Sequence, residues 1–244
     1  MKKYTYKKYI QTMMLAVAVI PFFSSCDYLD KEPDDMLTID AVFDNADYTK
    51  QWLAGVYNLV PDPLWEYMNF AGYGYYMMSD ETQMASSLGQ FGWGNLMNVQ
   101  QGSWTPTQII PGKNLWKETY QKVYQYIRDA NIFLERVKEI PDQRQTVELV
   151  ERYKNEVRFL IAYYYSRMLE VYGPFPLITS LMDVNDSGEV LKKERTPYDE
   201  IVNYLDNEFM ELSKILPSSY DNVNIGRPTS GACLALRARM LMFA

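Results

Sequence analysis

The chain has 244 residues, 24 basic and 31 acidic side chains, a net charge of −7 and no histidine. Without histidine, Ser-His and Cys-His catalysis and the usual zinc sites are excluded, while enzymes that work with carboxylates alone, glycosidases above all, survive the filter. The acidic balance argues against nucleic acid, whose binders cluster Lys and Arg against phosphates.

The N-terminus reads as an export signal. Lys2, Lys3, Lys7 and Lys8 precede an apolar run of eleven residues from Met13 to Phe23, and Ser24-Ser25-Cys26 follows. A bilayer-spanning helix needs about 20 apolar residues, so this run is too short for a permanent span. Small residues before a cysteine have the layout of a bacterial lipobox, with Phe22 and Phe23 looser than a strict Leu-x-x-Cys pattern. The expectation is a lipoprotein signal peptide over residues 1–25, with Cys26 as the lipid anchor; the plainer alternative is an ordinary signal peptide that ends near a cysteine. Removing four lysines and no acid takes the net charge from −7 to −11, which also argues against charge-driven binding to anionic lipid. Residues 26–40 are polar and acidic and read as a tether.

Helical spacing begins at Ala46, with Tyr48, Trp52, Leu53, Val56, Tyr57 and Val60 as apolar positions and Pro61 and Pro63 as stops. Residues 64–114 differ: Tyr, Trp, Gly, Asn and Gln crowd together, charge nearly vanishes between Asp80-Glu81 and Lys113, and neither period holds for long. The expectation there is one short helix near Tyr73 to Asp80 and then an irregular loop region, long enough to be functional. Order then returns. Trp116, Tyr120, Val123, Ile127, Ala130, Leu134 and Val137 form one stripe, closed by Pro141. Val150, Tyr153, Val157, Ile161, Tyr164, Met168 and Val171 form the next, from about Thr146 to Tyr172, ended by Gly173-Pro174.

Thr196-Pro197 predicts a further helix start, the hydroxyl at the N-cap and Pro at the first position, with the stripe Ile201, Leu205, Phe209, Leu212 and Leu216. A last helix from Thr229 carries Gly231, Ala232, Ala235 and Ala238, small residues that suit close packing of antiparallel helices. Cys233 lies in it. With Cys26 given to lipid, Cys233 is unpaired and expected to be buried. The sequence stops at Ala244 inside LALRARMLMFA, which reads as the N-terminal part of a longer protein, so that 41–244 would be a truncated helical domain.

Four blocks in order carry a family resemblance: LWKETYQKVYQYIRDANIFLERV, NEVRFLIAYYYSRMLEVYGPFPL, TPYDEIVNYLDNEFMELSKILP and GRPTSGACLALRARMLMFA. Together they resemble the SusD/RagB family of surface lipoproteins, and they cover most of the mature chain. Asp27 after Cys26 is similar to the acidic start that members carry for export to the outer face. The resemblance implies a mainly α fold of tetratricopeptide-like helix pairs with an irregular, aromatic, loop-rich lobe. It implies nutrient capture, usually of glycans and in some members of peptides, with a SusC-type TonB-dependent β-barrel transporter as partner, a place at the outer membrane, and no catalytic centre or cofactor. Members are about twice as long, and their GRAT-type segment stands here as Gly226-Arg227-Pro228-Thr229-Ser230-Gly231.

The chemistry of the aromatic segment points the same way. Trp93, Trp104, Tyr75 and Tyr76, with Asn95 and Asn98 between the tryptophans, are the candidate ligand residues. A sugar has an apolar face that an indole or phenol can cover and hydroxyls that amides can pair. The same rings could instead pack the loops onto the helices. Two other classes stay open: a glycoside hydrolase using Asp80 and Glu81, although adjacent residues point apart where hydrolysis needs facing carboxylates, and a helical-repeat adaptor that binds protein. Arg158 and Arg167, among apolar helix positions, are expected to be structural, with Glu156 and Glu170 near in sequence.

Overall fold

The computed structural model describes residues 37–60, 101–103, 115–182 and 192–244. The chain divides into two units, Met1–Val42 and Phe43–Ala244. Of the first, residues 37–42 are described; they hold the start of a short helix, α1 (Ile39–Phe43), where the Thr38 hydroxyl accepts from the Ala41 N–H.

The second unit is built from α2 (Ala46–Tyr57), α3 (Leu115–Arg136), α4 (Val147–Tyr172), α5 (Tyr198–Ile215) and α6 (Ser230–Leu241). Each runs antiparallel to the next. Phe43 meets Phe133, the Trp52 indole N–H donates to the Asp129 carbonyl, and Asn58 donates to the Tyr126 hydroxyl, so α2 and α3 run in opposite senses. Tyr126 packs on Tyr164 and Phe133 on Tyr153, which reverses α4 on α3. At one end of the last pair Ser230 N–H donates to the Pro217 carbonyl; at the other, the Tyr198 hydroxyl donates to that of Phe243. The described residues are mainly α, in tetratricopeptide-like pairs, as the sequence predicts. The loop-rich lobe expected over 64–114 falls outside them but for residues 101–103.

The stripes explain the order. Ile201, Leu205, Phe209 and Leu212 are fully buried on α5, at the predicted spacing. Val123, Ile127 and Ala130 are buried from α3, joined by Asn131, Ile132 and Phe133, and Val137 is buried just beyond its end. α4 sits between the other helices. Its predicted face is buried from Val150 to Met168, and so are Phe159, Leu160, Ala162, Tyr165 and Leu169 outside it. Burying one large apolar side chain contributes roughly 1.5–3 kcal/mol, which makes α4 the centre of the core.

Several local expectations change. α2 ends at Tyr57, capped by Asn58, short of Pro61; Tyr48 and Val60 are exposed, and the buried line is Ala46, Thr49, Leu53 and Val56. α3 ends at Arg136 rather than at Pro141, because the segment after it turns back: Ile140 and Gln145 pair, and Pro141–Gln143 forms a 3₁₀ turn. That turn docks on the start of α2, where the Ala46 N–H donates 2.7 Å to Gln143 Oε1. Thr196 does not cap α5. Pro197 occupies the cap without a side-chain bond, and the Thr196 hydroxyl accepts instead from the Leu177 N–H at 3.1 Å. In α6 the buried residues are Cys233 and Met240, Ala232 is half-buried, and Gly231, Ala235 and Ala238 are exposed.

Candidate functional site

Trp93, Trp104, Tyr75, Tyr76, Asn95 and Asn98 lie outside the described residues, as do Asp80, Glu81 and Cys26. What the structure describes is the pair of helices that flank that segment in the sequence. The chain leaves it after Val60, beyond α2, and is described again as α3 from Leu115. These two helices are tied directly to each other by the Trp52–Asp129 bond at 2.9 Å and the Asn58–Tyr126 bond at 3.2 Å.

Tyrosine hydroxyls make most of the further ties, and they answer what the many tyrosines of this part are for. Tyr164, buried on α4, donates to the Val56 carbonyl at the end of α2. Tyr124 donates 2.8 Å to the Pro176 carbonyl. Tyr165 donates 2.7 Å to the Ile178 carbonyl and accepts 3.1 Å from the Ile178 N–H, with Phe175 stacked on its ring at 5.2 Å. Each ring fills core volume while its tip holds a connection. Burial raises the pKa of Tyr57, Tyr164 and Tyr165 well above the ordinary phenol range, so these are neutral hydrogen-bonding groups. The segment after α4 is also held from its far side. Thr196 N–H donates to the Phe175 carbonyl, and Lys193 Nζ to that of Leu177.

The most unusual constellation surrounds Glu156, a fully buried carboxylate on α4. Its Oε2 accepts from the Tyr57 hydroxyl at 2.9 Å and from Arg227 Nη1; Arg152 Nε lies 3.5 Å from Oε1. Both guanidinium groups sit near the Tyr153 ring, at 5.6 and 5.9 Å from its centre. A buried charge needs such partners. Arg227, from the Gly226-Arg227-Pro228 segment, thereby ties the α5–α6 connection to α4 and α2. Sequence reasoning placed Glu156 beside Arg158 instead. Arg158 pairs with Glu208 and Glu211 of α5, both at 3.0 Å. The available signal was position: Glu156 lies three residues after Tyr153 and four before Leu160, on the buried side of α4. For Arg167 the expected partner is found. Arg167 pairs with Glu170, which also holds Arg239 of α6.

The carboxylates at the helix contacts are thus engaged in ion pairs: Glu156, Glu170, Glu208, Glu211 and Asp206, the last bound by Arg237 at 2.6 Å. Among the described residues no group of three or more His, Cys, Asp or Glu could hold a metal ion. No helix among them is long and apolar enough to cross a membrane.

A family model described as "SusD-like_3: Starch-binding associating with outer membrane" matches residues 27–242. The chain belongs to the SusD-like family. No curated protein matches the sequence. Among solved structures, a SusD-like protein from Bacteroides fragilis is 19% identical with a TM-score of 0.63, covering 87% of this chain and 38% of that one. A SusD homologue from Bacteroides thetaiotaomicron is 23% identical with a TM-score of 0.60, over 83% and 37%. Surface glycan-binding protein A from Bacteroides uniformis is 18% identical with a TM-score of 0.59, over 82% and 42%. The SusD-like chain thus shares their fold and spans about two-fifths of their length. The buried tyrosine ties and the Glu156 cluster are its way of holding that fold together.

Proposed function

We propose that this SusD-like protein is a surface-exposed lipoprotein that captures an oligo- or polysaccharide and passes it to a TonB-dependent outer-membrane transporter, without catalysing a reaction on it. The observation that carries the reading is the family match, whose description joins starch binding to the outer membrane. The match begins at residue 27, the residue after Cys26, the proposed lipid anchor. A lipid on Cys26 would hold the protein at the outer membrane and the acidic residues after it would serve as tether, with the ligand met on the exterior side. A relative named as glycan-binding supports a sugar ligand.

The ligand contacts belong to Trp93, Trp104, Tyr75 and Tyr76, with Asn95 and Asn98 pairing hydroxyls. A few stacked rings give weak binding, about 10 µM to 1 mM, or roughly −4 to −7 kcal/mol. Such affinity suffices where a membrane-bound array and its transporter keep the local concentration high.

The test is affinity gel electrophoresis of the soluble mature protein lacking Cys26, run through a panel of polysaccharides beside Trp93→Ala and Trp104→Ala. The expected result is retardation by one glycan, lost in at least one variant. Retardation by no glycan, from folded protein, would count against sugar capture by this chain and make a peptide ligand or a protein-binding role the next to test. Hydrolysis of an oligosaccharide that disappears in Asp80→Asn or Glu81→Gln would replace capture with catalysis.

A further inference from the structure

We draw no further inference here: the strongest candidate, the exposed apolar face of α6 formed by Leu234, Ala235, Ala238 and Leu241, carries nothing because nothing in the structure shows what covers it.

Discussion

Burial on α6 pushes the Cys233 thiol up to about 11 from an ordinary 9.0, and burial moves Tyr204 to about 12 from 10.0. Both groups are neutral when protonated, so a folded-state pKa above the unfolded value has a definite sign. Their contribution is complete below the unfolded pKa and is lost as pH rises through the folded one. The urea midpoint should therefore hold steady up to about pH 9 and fall progressively from there towards pH 12, an alkaline rather than an acid loss. At about pH 8 a thiol reagent should label Cys233 only as fast as the protein unfolds; rapid labelling of the folded chain would contradict the burial. Arg227 gives a second test at this scale. Arg227→Met leaves the fully buried Glu156 with Arg152 and Tyr57 alone. Breaking a buried ion pair costs about 3–5 kcal/mol, and the remaining partners put the expected loss near the low end, read from urea unfolding. A loss under about 1 kcal/mol would mean that Glu156 does not depend on Arg227.

At the scale of elements, the ends of α4 and α5 separate what a sequence reveals from what it conceals. Thr146 caps α4, accepting from the Leu149 N–H, as its place before the stripe predicts. Thr196 has the same local signature before α5, but its hydroxyl goes to Leu177, 19 residues back, a partner that no local pattern announces. Thr146→Ala should cost about 1 kcal/mol in the unfolding free energy. Thr196→Ala should instead loosen the 175–178 segment, faster amide exchange at Leu177 being the readout, with the start of α5 unchanged. Loss of helix at 198–201 would restore Thr196 as a cap. Gly173 is the other local success. It closes α4 at φ 62°, where an L side chain is strained although open space surrounds the missing Cβ. Gly173→Ala should therefore cost about 1–3 kcal/mol through backbone strain alone, measured against the wild type in urea. The α5 stripe was legible because only one face of that helix is buried. α4 was legible in extent but not in full, because a central helix buries several faces and one stripe understates it. The small residues of α6 left its covered face open, because size permits close packing without saying which face meets a neighbour.

For the whole molecule, the candidate ligand residues belong to the segment that lies between α2 and α3 in the sequence. The fold was legible because the apolar stripes of the long helices stand in the sequence at helical spacing. The ligand residues could be nominated only by chemistry, since stacking on a sugar and packing on a helix ask for the same rings. The charge of the mature chain, the lipobox-like Cys26 and the aromatic segment are what the proposed account joins: a protein fixed at the outer membrane that meets an uncharged polyol. Retention of a fluorescent polysaccharide by intact cells tests that account most directly, once a glycan is chosen from the gel panel. Cells carrying the native chain should hold the glycan; cells carrying Cys26→Ala, or Trp93→Ala with Trp104→Ala, should release it on washing. Equal retention by the native and both variant strains would contradict anchored capture by these residues.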